Sequence, residues 1–251
     1  MSISLRNKNV LVTGGSRGLG AATVERFAAE GCNVVINYLS AIDRAEALAG
    51  KVRETWGVRA VILQGDVATD EGCVGIVEES IKALGGLDVI ISNAGWTKMS
   101  VFEDLYALTE QDWDTCWAVN VKANLYLLRA ALPTFNANPE GGSMLITSSI
   151  AASNPTGSAM AYCVSKAAGL HLMRCLANTQ GPKIRVNAIQ PGLLLTEWGL
   201  EFPQEKIKAS KEAAKLKTCP TVEECADAFV LMAKSSSMTG SSLKIDAGLF
   251  V

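Results

Sequence analysis

The chain has 251 residues, 49% of them hydrophobic and 19% charged, enough apolar material for a large core. Lys and Arg (23) nearly balance Asp and Glu (25), so the formal net charge is only −2. No polybasic run and no apolar stretch of membrane-spanning length stand out, so neither nucleic acid nor a membrane is expected as a partner.

Seven scattered cysteines, without a C-x-x-C pair, argue against a disulfide framework or a zinc site. A reducing cytoplasm and no bound metal are expected. The opening "MSISLRNKNVLVTGG" enters a strand at once and shows no signal-peptide core, in line with that expectation.

Taken in order, short β-branched runs alternate with amphipathic stretches. Strands are expected at 9–14, 33–38, 59–67, 87–95, 142–149, 184–192 and 242–248. Helices are expected at 18–30, 42–56, 70–84, 109–135, 155–180 and 221–234. Several strands are apolar almost throughout, as strands covered on both faces must be. The pattern predicts an α/β fold in one domain over 1–251, a doubly wound parallel sheet of seven strands with helices on both faces. The charged stretch 196–217 breaks the rhythm and reads as a mobile flap or a short pair of helices.

The first strand runs into "TGGSRGLG" (13–20) and then a helix. Gly14, Gly18 and Gly20 would permit a tight turn and a close approach of backbone to a pyrophosphate at the helix N-terminus. An NAD site would place an acid at the end of the second strand, but Asn37, Tyr38, Leu39 and Ser40 stand there, and the first carboxylate is Asp43. Arg17 in the glycine loop could pair with a 2′-phosphate, or be a solvated loop cation. The absent acid and the present base favour NADP(H). Asp66 and Val67 end the third strand and could line an adenine pocket, and Asn93, Ala94 and Gly95 end the fourth beside a ribose. Each of these could also be plain turn chemistry.

Ser149 closes the fifth strand, where ligands of open parallel sheets bind. The helix that follows carries "YCVSK", with Tyr162 and Lys166 on one face. An unperturbed phenol, with a pKa of about 10, is a poor acid–base catalyst at neutral pH. A neighbouring lysine cation would lower it, and Ser149 could hydrogen-bond a carbonyl or alkoxide oxygen. Cys163 has no histidine in its local motif and reads as a packed thiol. His171 is the only histidine, so a triad or metal site would rest on one residue. Asn120, an asparagine in a helix, could satisfy neighbouring backbone groups. Trp96 and Trp198 could shape a substrate pocket or simply pack.

These markers occur in one order along the chain: "TGGSRGLG", "NAG", Asn120 in "AVNV", Ser149, "YCVSK" and "PGLLLT" (191–196). In that order the chain resembles the short-chain dehydrogenase/reductase family over essentially its whole length. Among members it is most similar to NADPH-dependent ketone reductases of the 3-oxoacyl carrier-protein reductase and fungal naphthol reductase kind. The resemblance implies a Rossmann-type fold and a catalytic set of Asn120, Ser149, Tyr162 and Lys166. In it Ser149 positions the substrate oxygen, Tyr162 is the acid/base, Lys166 holds the nicotinamide ribose and Asn120 holds a relay water.

It also implies an NADP(H) site drawn from Gly14, Ser16, Arg17, Gly18, Leu19, Gly20, Asn37, Tyr38, Ser40, Asp66, Val67, Asn93, Ala94 and Gly95. Tyr162 and Lys166 complete that site, with Pro191, Gly192, Leu194 and Thr196 bracketing the nicotinamide. The activity implied is hydride transfer between NADPH and a ketone or aldehyde carbonyl, in a homo-oligomer (dimer or tetramer). Alcohol oxidation with NAD(P)⁺ and a non-catalytic nucleotide-binding scaffold are the alternatives. Departures from the family pattern are Asn178 and Thr179 after "CLA", a slightly short link onward to "PG", and the C-terminus "DAGLFV".

Overall fold

In a computed structural model of the chain, residues 2–251 are described, and seven strands form one parallel sheet. They are β1 (Asn9–Val12), β2 (Asn33–Tyr38), β3 (Ala60–Gln64), β4 (Val89–Ser92), β5 (Gly142–Thr147), β6 (Ile184–Pro191) and β7 (Ser242–Ile245). The order across the sheet is β3-β2-β1-β4-β5-β6-β7, so the winding reverses between β1 and β4. That reversal opens a crevice at the carboxyl ends of the strands, the place where doubly wound sheets take ligands.

Strand alternation decides which residues meet which helices. Val10, Val12, Val34, Ile36, Val89 and Ile91 point to one face, where they pack with α1 (Gly18–Ala29), α2 (Ile42–Trp56) and α8 (Val222–Lys234). Leu11, Val35, Ile90, Met144 and Ile146 point to the other, beneath α3 (Asp70–Leu84), α5 (Ala123–Ala137) and α6 (Met160–Gln180). Both faces are therefore buried, which is why these strands read as unbroken apolar runs.

Two helices depart from the expected spans. The stretch expected as one helix over 109–135 is α4 (Glu110–Trp117), a π-helical turn (Ala118–Lys122) and then α5. The helix expected from 155 starts at Met160 instead. Gly157 takes φ +137°, a left-handed conformation incompatible with an α-helix, and a 3₁₀ turn (Ile150–Ala152) and a short loop fill the gap. Within 196–217 the backbone makes a 3₁₀ turn (Gly199–Glu201) and α7 (Gln204–Ala213), the short helical pair anticipated.

Candidate active site

The glycine loop between β1 and α1 is built by backbone closeness. A Cβ on Gly14 would lie 3.1 Å from the Ala94 Cα, and one on Gly20 would overlap the Gly14 carbonyl oxygen. Gly14 and Gly18 also take φ of +58° and +53°. Thr69, Thr109 and Thr221 cap α3, α4 and α8 through their side chains, whereas Arg17 gives α1 no such cap. The first amides of α1 are thus left for an anionic group. These features fit a dinucleotide pyrophosphate.

Residues expected along this cradle divide into braces and walls. Asn37 is buried; its Oδ1 accepts from Gly14 N at 3.3 Å, and its Nδ2 donates to Leu63 O and Gly65 O. Asn93 donates through Nδ2 to Thr13 O at 3.0 Å and Gly14 O at 3.3 Å, and accepts from Thr147 Oγ1 at 3.1 Å. Both asparagine side chains therefore hold the loop rather than face a ligand. Leu19, Tyr38 and Val67 are buried in the two cores, and Pro191 is buried at the end of β6. Asp66 is exposed and closes a turn by accepting from Ala68 N. Ser16 is half-buried and Ser40 exposed. Gly192 donates its N–H to Ile245 O, and a Cβ there would press on Asp246. Leu194 packs against the α1/α8 core.

The residues expected to carry acid–base chemistry are brought together by the end of β5, the π turn and α6. Lys166 is 4% exposed, and its Nζ donates to Thr147 O at 2.8 Å. That ammonium lies 5.5 Å from the centre of the Tyr162 ring. Ser149 Oγ accepts from Ala151 N at 3.1 Å, and the same side chain stands near enough to the Tyr162 phenol to favour its ionised form. Burial pushes the Tyr162 phenol above its ordinary value, and the neighbouring Ser149 side chain opposes this only in part. Burial also pushes Lys166 down to about 8. The expected lowering of the phenol by Lys166 does not emerge: desolvation of the ring dominates, and Ser149 is the group that acts in the lowering direction.

Asn120, 3% exposed, clamps the loop after β4. Its Oδ1 accepts from Trp96 N at 3.0 Å, while Nδ2 donates to Trp96 O at 2.9 Å and Ser165 Oγ at 3.0 Å. Ser165 Oγ donates in turn to Tyr162 O at 2.8 Å. The side chain of Asn120 thus bonds to nearby backbone, one of the two uses anticipated for it. A Cβ on Gly95 would come within 3.5 Å of Asn120 Oδ1 and 3.6 Å of Lys166 Nζ, so that glycine keeps the space open.

The segment after β6 closes over both halves. The Thr196 methyl lies 3.2 Å from where a Gly18 Cβ would stand, and Trp198 meets Tyr162 edge-on with ring centres 5.9 Å apart. Between them Glu197 pairs with Arg17 at 3.1 Å and with Arg44 at 2.7 Å. Arg44 and Thr147 were not singled out from sequence. Thr147 carries no motif, and Arg44 gains meaning only from a partner 153 residues away. Cys163 is a buried thiol donating to Thr156 O, with its pKa raised by burial, and His171 lies exposed on α6. Among the described residues no His/Cys/Asp/Glu group could hold a metal, and no helix is long and apolar enough to cross a membrane.

A glycine cradle at the switch point of a seven-stranded parallel sheet, facing a serine, tyrosine and lysine, defines a nicotinamide-dependent oxidoreductase. A family model described as enoyl-(acyl carrier protein) reductase matches residues 14–250. A glucose 1-dehydrogenase from Gluconobacter oxydans is 34% identical over 96% of this chain and 91% of its own. A short-chain dehydrogenase from Burkholderia cenocepacia solved with NADP superposes with a TM-score of 0.90 at 32% identity, covering 98% of this chain and 99% of that one. An NADPH-dependent 3-quinuclidinone reductase from Rhodotorula rubra does so with a TM-score of 0.90 at 30% identity, covering 98% and 92%. The chain belongs to the short-chain dehydrogenase/reductase family.

Proposed function

We propose that the protein is an NADP(H)-dependent carbonyl reductase that converts a ketone or aldehyde to an alcohol. The observation that carries this reading is the grouping of Ser149, Tyr162 and Lys166, with Lys166 Nζ 5.5 Å from the ring centre, across the crevice from the glycine cradle. When bound, the nicotinamide supplies hydride to the carbonyl carbon. Tyr162, kept protonated by burial, donates its proton to the carbonyl oxygen, which Ser149 orients. Lys166, held on Thr147 O, then faces the phenolate with its positive charge. Trp198 shields the tyrosine from water on the open side.

The NADP(H) preference is supported by Arg17 at the loop and by the lack of an acid at the end of β2, where Asn37 is committed to backbone. The similar reductase and the NADP-bound relative point the same way. An NADPH-oxidation screen over ketones, aldehydes and quinones tests the assignment, and no turnover across it, with cofactor bound, would favour a binding scaffold. The likeness to a glucose dehydrogenase supports alcohol oxidation as the second reading, so the same plate should be run with NADP⁺ and alcohols. We place the enzyme in the cytoplasm as a homo-oligomer formed through α4 and α5, where Trp113, Trp117 and Leu125 remain more than a third exposed. A monomer in analytical ultracentrifugation would refute the oligomer.

A further inference from the structure

We infer that Glu197 is an internal stand-in for the 2′-phosphate of the cofactor, and that exchange of its carboxylate for that phosphate loosens the strap over the active site. The inference rests on the NADP(H) reading above. Three parts of the chain meet at this point: Arg17 before α1, Arg44 in the first turn of α2, and Glu197 after β6. Arg44 holds both carboxylate oxygens, at 2.7 and 2.9 Å, and Arg17 holds Oε2 at 3.1 Å. Two guanidiniums converging on one small anion form the donor set that a phosphate monoester requires. The cluster joins the glycine loop to α2, the helix that follows β2, and at the end of β2 the position of an NAD-binding acid is filled by buried Asn37.

The present occupant is weakly held. Arg17, Arg44 and Glu197 side chains are 67%, 50% and 58% exposed, and exposed pairs exchange partners readily. A dianionic phosphate with three acceptor oxygens outcompetes a single solvated carboxylate. Glu197 is also the middle of a strap whose flanks rest on the site itself, Thr196 on the glycine loop and Trp198 on Tyr162. Withdrawing the arginines leaves this strap held by its contacts to the glycine loop and the tyrosine, with α7 still anchored by buried Ile207 and by Lys206 on Gly157 O. Arg44 thereby becomes a specificity-determining residue for the cofactor, and Glu197 its competitor.

The test is a set of dissociation constants for NADPH and NADH, by cofactor fluorescence or calorimetry, on wild type, Glu197→Gln and Arg44→Gln. Removing the competitor should tighten NADPH about two- to fivefold in Glu197→Gln and leave NADH unchanged, the range of an exposed ion pair. Arg44→Gln should weaken NADPH about tenfold or more and spare NADH. Amide exchange over 196–201 should quicken in wild type with adenosine 2′,5′-bisphosphate but not with adenosine 5′-monophosphate. Wild type binding NADPH no tighter than NADH would overturn the cofactor reading and this inference with it. A clear NADPH preference with Glu197→Gln binding NADPH equally or less tightly would overturn the stand-in alone. Weaker NADH binding in Glu197→Gln would make that residue a ribose acceptor instead and equally sink the proposal.

Discussion

Two clusters of polar groups flank the same crevice and obey opposite physics. Around Lys166 and Asn120, both at most 4% exposed, each polar group is satisfied by backbone or by a buried neighbour. Around Arg17, Arg44 and Glu197 every side chain is at least half exposed. Distances in the two clusters are alike, yet a buried group that loses its partner suffers full desolvation, while an exposed one falls back on water. The inner cluster therefore fixes geometry, and the outer one can trade partners. The proposed reductase activity would need both: a proton donor that does not wander, and a cofactor grip that can be made and broken each turnover.

The comparison can be broken most severely at the tyrosine. Tyr162→Phe keeps the ring packed against Trp198 but removes the proton, and kcat should fall about 10²- to 10⁴-fold with cofactor affinity within about twofold, as stopped-flow and fluorescence titration would report. A fall in affinity equal to the fall in rate would contradict the division of labour. Next is Asn120→Leu, which strands the Trp96 N–H and C=O that the amide now pairs. A loss of about 2–4 kcal/mol in chemical denaturation is expected, with activity lost as the loop after β4 relaxes. Gly20→Ala should cost about 1–3 kcal/mol by pressing a methyl on the Gly14 carbonyl, and should raise KM for the cofactor more than it lowers kcat.

A subtler effect sharpens the contrast through pH. Lys166 is pushed down to about 8 in the folded protein, so between that value and its ordinary one near 10.5 the unfolded chain binds more protons. Its contribution to stability therefore rises with pH from about 8 upward. Tyr162 is shifted the other way, and above pH 10 the folded state keeps a proton that the unfolded state loses, so its contribution falls. Wild type minus Lys166→Met, followed by urea denaturation from pH 7 to 10, should show the lysine's cost shrinking across the upper part of that range. A flat difference would mean that the ammonium is not desolvated. The smallest change belongs to the outer cluster: Arg17→Ala should leave stability within about 0.5 kcal/mol at moderate salt.

Much of this architecture was legible because both sheet faces are buried. Runs such as 33–38 and 142–147 announce themselves as strands whichever face is inspected. The proposed acid–base set was equally visible, since Tyr162 and Lys166 lie one helical turn apart, although Ser149 falls two residues past the end of β5, at the N-cap of the 3₁₀ turn, and not on the strand as expected. What escaped depends on contacts distant in sequence or on backbone detail. Asn37 and Asn93 sit where a cofactor wall was expected, but their amides are turned inward because neighbouring loop carbonyls and amides needed partners. Gly157 delayed the helix start to Met160 with its positive φ, which composition does not encode. The Arg44–Glu197 pair crosses 153 residues and has no local signature.

The π turn at Ala118–Lys122 carries a consequence for how this chain tolerates length change. A π turn takes one more residue than an α turn, and so absorbs that residue while leaving the helices on either side in phase. In α4, Cys116 faces inward while Trp113 and Trp117 face out. Deleting one residue from 118–122 would restore a regular helix with α4 and α5 still in phase, but would remove the wide turn that aims Asn120 at the Trp96 backbone. The turn is a built-in spare residue placed where the site needs it, and a single-codon deletion there should be far less tolerated than substitution of its exposed Lys122.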